Sequence, residues 1–218
     1  MKDATHIAVL LDRSGSMGDI KAETIDGFNC FLEEQRAAGD NATLTLVQFD
    51  TESTDVVHES KPIREVPDLN DQSFQPRGGT PLLDALGQTI DSTGRSLAAI
   101  PEAKRPDKVV FVVITDGQEN SSRYHTKASV KEKIDHQAGK YSWQFVFLGA
   151  NQDAFDEAGS VGIAAANAAN FSPARMQFAL AATAANVAGY RRSGNAAKLA
   201  YSEKQRAEML EESADKDE

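Results

Sequence analysis

The sequence predicts an α/β fold: a doubly wound, mostly parallel central sheet with one antiparallel edge strand and helices on both faces. Three observations lead there. Short continuous apolar runs at Ile7 to Leu11, Leu44 to Phe49, Val109 to Ile114 and Phe145 to Leu148 are rich in β-branched and aromatic residues, as suits strands covered on both sides. Stretches of helical period separate these runs, and strands alternating with helices build parallel sheets. Finally, 218 residues suffice for one α/β domain with a sizeable core and would cramp a second.

The elements follow in order. The first strand runs out into Asp12-Arg13-Ser14-Gly15-Ser16, and Ile20, Thr24, Phe28, Phe31 and Leu32 then mark one stripe of a helix over residues 18–38, ending near Gly39. After the second strand, a tight turn at Asp50 to Ser53 returns the chain as Thr54 to Ser60, the antiparallel edge strand. Residues 61–79 are mostly loop, since three prolines discourage regular structure there. Leu82, Leu83, Leu86, Ile90 and Leu97 mark the next helix, with Thr80 as its N-cap and Pro81 in its first turn. Thr126 to Ala138 reads as a helix of mixed charge. A short helix around Asp153 to Ala158 and a weak edge strand near Ile163 to Ala168 come next. Ser172-Pro173 then opens a helix that runs to Tyr190.

Composition changes after Arg191, so residues 1–192 are expected to form the domain and 193–218 an acidic tail, helical or disordered. Residues 202–218 carry seven acids and three bases with too few apolar residues for a core face, which predicts a solvated helix fraying into disorder.

A net charge of −10 argues against binding nucleic acid or an anionic membrane, since both need a basic face. No apolar run approaches the ~20 residues of a membrane span, and no signal-peptide segment precedes the first strand, so a cytoplasmic location is expected. Cys30 is the only cysteine, which excludes an intrachain disulfide and predicts a buried or half-buried small hydrophobe. His6, His58, His125 and His136 lack metal-ligand spacing and read as surface or edge residues.

The chemistry concentrates at strand ends. Asp12, Ser14 and Ser16 place a carboxylate and two hydroxyls at alternate positions after the first strand. Hard oxygens suit Mg²⁺ or Mn²⁺, but one carboxylate is too little charge, so further ligands must come from elsewhere. Thr80, in Arg77-Gly78-Gly79-Thr80-Pro81, and Asp116, after Val109 to Thr115, can supply them. Asp12 and Asp116 both fall at carboxyl ends of predicted strands, where doubly wound sheets bind their ligands.

Together these three segments resemble the metal-ion-dependent adhesion site of the von Willebrand factor A domain family, whose pattern is Asp-x-Ser-x-Ser on one loop, a Thr on a second and an Asp on a third. The resemblance covers residues 5–190 and implies a Rossmann-like fold with a metal held by Asp12, Ser14, Ser16, Thr80 and Asp116. Mg²⁺ is the implied ion, with Mn²⁺ and Ca²⁺ as alternatives. It further implies a non-enzymatic docking module whose metal is completed by an Asp or Glu of a partner protein. Stand-alone domains of this kind, bacterial or phage, work beside chaperone-like ATPases or stress-response systems. Two carboxylates just neutralise a divalent ion, which leaves it electrophilic toward such an acid.

The competing reading is a metal-dependent phosphohydrolase of haloacid dehalogenase-like type, with Asp12 as nucleophile. That scheme needs an acid two residues later, where Ser14 stands. A GxxxxGK[ST] phosphate loop is absent. Asp50 reads as a turn former, with approach to the metal from a neighbouring strand as the alternative, and Arg13 reads as a solvent-facing side chain. Gln118, Glu119, Asn120, Ser121, Ser122, Arg123 and Tyr124 follow Asp116 on its loop and are candidates to line a partner surface.

Overall fold

Eight consecutive buried residues form the first strand, β1 (Thr5–Asp12), at the centre of a computed structural model that describes residues 3–150 and 154–211. With β2 (Ala42–Phe49), β3 (Thr54–Pro62), β4 (Lys108–Thr115), β5 (Gln144–Gly149) and β6 (Ala168–Asn170), it makes a six-stranded sheet of order β3-β2-β1-β4-β5-β6. Only β3 runs antiparallel. The expected fold class is therefore the observed one. The chain leaves β1 toward β2 and β3 on one side and then crosses back to β4 on the other side of β1. Strand order therefore reverses between β1 and β4, the position where such sheets open a crevice for ligands. The β1–β4 register ends with Leu11 opposite Ile114, which brings the residues after both strands together.

Helices α1 (Lys21–Ala37) and α5 (Met176–Ser193) cover one face, packed on Ile7, Val9, Val110 and Val112. The other face carries α2 (Leu82–Ala99), α3 (Lys127–Tyr141) and α4 (Ala154–Ser160), against Ala8, Leu10, Phe111 and Val113. Alternate strand residues thus feed two separate cores, which is why the runs are continuously apolar. The predicted α4 residue Asp153 lies outside the described residues.

Gly27 sets the α1–α5 approach. A Cβ there would stand 2.7 Å from Leu180 Cδ1 and 3.2 Å from the Gln177 Cα. Gly27→Ala should therefore destabilise by about 1–2 kcal/mol, because the overpacking cost exceeds the gain of Ala over Gly in a helix. A lowered urea midpoint with unchanged slope would show it; a raised midpoint would contradict the packing.

Several expectations change. Thr80 does not cap α2: the helix starts at Leu82 with Pro81 in the cap position and no side-chain cap of its own. Instead Glu119 Oε2 accepts from Leu83 N (2.8 Å) and Ser122 Oγ from Asp84 N (3.0 Å), so the orphan donors of the first turn are met by another loop. The last strand lies at Ala168–Asn170 rather than 163–168, because a 3-10 turn at Ala165–Asn167 occupies the run of alanines. Cys30 is exposed, being on the side of α1 away from Phe28, Phe31 and Leu32.

The C-terminal segment also departs from expectation. A 3-10 turn at Ala196–Leu199 and a helix α6 (Glu203–Leu210) are folded onto the α1–α5 side, and Leu199, Tyr201 and Met209 are buried in that core. Three well-placed apolar groups suffice, since Glu203 and Lys204 face water and Arg206 turns to backbone carbonyls of the domain. Residues 212–218 lie outside the described residues.

His6 is buried, not a surface residue. Its Nδ1 stands 2.9 Å from Thr43 Oγ1, and burial pushes its pKa down to about 4. The unfolded chain then binds a proton near pH 6.5 that the fold refuses until about pH 4. Stability from this group is present above pH 6.5 and is lost as the pH falls through that window. Relative to His6→Gln, the wild type should lose about 2 kcal/mol between pH 7 and pH 5, read from urea midpoints. Equal losses in both proteins would contradict it.

Among the described residues no helix is long and apolar enough to cross a membrane.

Candidate metal centre

The site forms where β1 and β4 run out. Asp12, fully buried, is held from two sides: Oδ1 accepts from Ser14 N at 2.7 Å, and Oδ2 accepts the Thr115 hydroxyl at 2.6 Å. Burial pushes its pKa up to about 6; the Thr115 and Ser14 hydrogen bonds oppose this, and the nearby charge of Asp116 adds to it. Ser14 is the N-cap of a 3-10 helix (Gly15–Ile20), yet its side chain makes no capping bond. Its hydroxyl instead lies 3.2 Å from that of Ser16, and Ser16 donates to Asp116 Oδ1 at 2.8 Å. Burial raises the Asp116 pKa as well, with a smaller contribution from Asp19.

Thr80 comes from the second loop and is buried. A Cβ placed on Gly117 would lie 2.9 Å from Thr80 Oγ1 and 3.8 Å from Ser16 Oγ, so both hydroxyls flank the backbone just after Asp116. All five residues singled out in the sequence are thus brought together. The first two loops touch directly: Gly15 N donates to Gly78 O (2.9 Å) and Arg77 N to Arg13 O (2.8 Å). Gly78 has φ +66°, a left-handed conformation that glycine adopts without strain.

Arg13 is buried rather than solvent-facing. Its guanidinium reaches Asp50 Oδ2 (2.7 Å) and Asp55 Oδ2 (2.8 Å), and Arg77 Nε donates to the same Asp50 oxygen at 3.0 Å. Asp50 Oδ1 accepts from Glu52 N (2.6 Å) and Ser53 N (3.1 Å), so it forms the turn as expected. Although burial alone would raise it, the Arg77, backbone and Arg13 hydrogen bonds hold the Asp50 carboxyl below the usual range. Its charge is already balanced by two guanidiniums.

Sequence reasoning misses Thr115 and Asp84 and misassigns Glu119. Thr115, the hydroxyl on Asp12, hides inside an apolar run; its one signal is a polar side chain directly before Asp116. Asp84 accepts from the backbone N–H groups of Arg123, Tyr124 and His125 at 2.7–2.9 Å. Glu119 turns inward from the expected partner surface, accepting from Ser121 N and Ser122 N at 2.8 and 2.7 Å besides Leu83 N. Together Asp84 and Glu119 fasten the Asp116 loop to the start of α2, next to Thr80. Asn120, Ser121, Arg123 and Tyr124 do line a hollow of about 660 Å³, shared with Thr51 and Glu52 of the β2–β3 turn.

Chemically the set is two carboxylates and three hydroxyls, all hard oxygens, from three loops. Among the described residues no group of three or more His, Cys, Asp or Glu could hold a metal, so any ion here relies on hydroxyl ligands. That donor set fits a magnesium-like ion, which binds few protein oxygens and keeps waters.

No family model matches the sequence, and no curated protein matches it either. Solved structures do match. A von Willebrand factor type A protein from Catenulispora acidiphila shares 17% identity over 90% of this chain and 42% of its own, with a TM-score of 0.52. Proximal thread matrix protein 1 from the mussel byssus shares 12% identity over 83% of this chain and 46% of its own, with a TM-score of 0.55. A second crystal form of that protein gives 13% identity and a TM-score of 0.53. The chain thus spans less than half the length of each of these structures. What the sheet order, the two helical layers and these likenesses share is one architecture: the chain has a von Willebrand factor type A fold.

Proposed function

We propose that the chain is a divalent-metal-dependent docking module, in which Mg²⁺, or Mn²⁺ or Ca²⁺ in its place, is held by Asp12, Ser14, Ser16, Thr80 and Asp116. A carboxylate from a partner protein then completes the ion. One observation carries the reading: a buried carboxylate and a half-buried one converge with three hydroxyls, and no described cationic side chain reaches Asp12. Charge buried without a counter-ion is costly. The two arginines closest in sequence to the five residues, Arg13 and Arg77, are directed to Asp50 instead. A small hard cation answers both the charge and the donor geometry.

The set supports docking over turnover. Ser14 stands where a phosphohydrolase would need its acid, and no His or Lys bonds to Asp12 or Ser14 among the described hydrogen bonds. The hollow beside the site offers room for the polypeptide around a partner's acid. By analogy of fold alone, that partner is a chaperone-like ATPase or a stress-response component.

Titration calorimetry with Mg²⁺ tests the metal claim. Wild type should bind one ion, and Asp116→Ala should weaken binding at least about tenfold, the loss of one charged ligand being worth more than 1.4 kcal/mol. Equal and negligible heats in both proteins would sink it. A pull-down with and without chelator tests the docking claim separately.

A further inference from the structure

At the end of the sheet opposite Asp12, the C-terminal halves of α2 and α3 part over a cavity of about 420 Å³. It lies within the size range of small-molecule sites. Its apolar lining includes Leu97, Val109 and Trp143, all nearly buried. Trp143 is stacked on Phe111 at 5.4 Å, so this wall is fixed. Gly94 keeps the α2 side open: a Cβ there would meet nothing nearer than Gln137 Nε2 at 3.6 Å and Trp143 Cη2 at 3.9 Å.

Charge gives the cavity a sign. Arg105 is held in place by donating through Nε to Ile100 O (2.8 Å) and through Nη2 to Ala98 O (2.9 Å), which leaves most of its five N–H donors unspent. Arg95 lines the same cavity, is exposed, and makes no hydrogen bond or ion pair with a described residue. Asp91 is taken by Lys133, whose Nζ lies 2.7 and 2.8 Å from its two oxygens. Two arginines against the remaining Asp107 make the cavity locally positive on a chain of net charge −10.

We propose that this cavity binds a planar, largely apolar small molecule bearing one anionic group, with its rings against Trp143 and Leu97 and its anion at Arg95 and Arg105. An apolar body excludes water from the aromatic wall, and a guanidinium pair selects the anion. The inference is independent of the metal centre.

Trp143 is the only tryptophan, so its emission reports on this cavity alone. The probe is 1-anilinonaphthalene-8-sulfonate, added to the full chain in chelator. Saturable one-to-one loss of Trp143 emission is expected, with affinity reduced about tenfold or more by Arg95→Glu, the loss of a charge-assisted contact. Gly94→Leu, which takes up cavity space, should remove the effect. Neutral N-phenyl-1-naphthylamine should bind wild type about tenfold more weakly or worse, for the same reason. The thermal midpoint of Arg95→Glu should match wild type, since the side chain is exposed. Absence of saturable quenching, unchanged affinity in Arg95→Glu, or equal binding of the neutral compound would each overturn the proposal.

Discussion

Asp12→Asn is expected to abolish the stabilisation of this protein by Mg²⁺ and, in chelator at neutral pH, to leave it more stable than wild type. Both effects come from one buried carboxylate. Burial raises its pKa to about 6 from the usual 3.8, so between those values the fold keeps a proton that the unfolded chain gives up. The metal-free fold therefore loses stability as the pH rises through that window, by about 3 kcal/mol once both states are ionised. Asparagine removes the charge and keeps the contacts. Its Oδ1 can accept from Ser14 N, and its Nδ2 can donate to the Thr115 hydroxyl, which has Gly117 O at 3.0 Å as another acceptor. In wild type, saturating Mg²⁺ at about a hundred times Kd should add about 2.7 kcal/mol. Thermal melts of both proteins, with Mg²⁺ and with chelator, provide the measurement. If Asp12→Asn proved less stable than wild type in chelator, the cost assigned to this buried charge would be wrong.

Removing residues 195–218 should leave the remaining chain unable to fold stably, and Met209→Ala alone should cost about 2–5 kcal/mol, as for buried large-to-small changes elsewhere. The C-terminal segment completes the core and also closes the sheet. Arg206 donates to Ala168 O at 2.6 Å and to Ala165 O and Ala166 O at 2.8 and 3.0 Å, while Tyr201 N donates to Ala166 O at 2.9 Å. One of these bonds reaches β6 itself and the others hold the turn that leads into it, so the segment covers part of an edge that would otherwise be open to other chains. Tyr201 is anchored beneath through its hydroxyl, 2.7 Å from Thr183 Oγ1. Urea unfolding reads the Met209→Ala loss, and light scattering reads aggregation of the truncated chain. A truncated protein with wild-type stability would mean that the segment merely rests on the surface.

Particular residues show what could be read from the chain. Continuous apolar strands and the helical stripe at Phe28, Phe31 and Leu32 were legible because two-sided burial and one-sided burial leave different periods. Asp12 and Asp116 were legible as candidates because each follows a strand, and Asp12, Ser14, Ser16, Thr80 and Asp116 were legible as a set through their resemblance to the von Willebrand factor A pattern. Arg13 was not. Within that same loop its direction depends on Asp50 and Asp55, contributed by another strand and its turn. Thr80 was assigned a capping role that local sequence permits, but Glu119 and Ser122 satisfy the α2 donors from a distance and leave its hydroxyl beside Gly117.

By itself, then, the sequence determined the alternation of strands and helices and the antiparallel edge, since these follow from local spacing, while the five oxygen-bearing residues stood out as a set through their resemblance to the von Willebrand factor A pattern. Only the tertiary structure decided that Asp12 is buried against Thr115, that two arginines are spent on Asp50, and that a mostly charged C-terminal helix carries Met209 into the core. Those outcomes depend on partners 27 to 103 residues away for the polar contacts, and a pairing at such range has no period or local signature for a sequence to display.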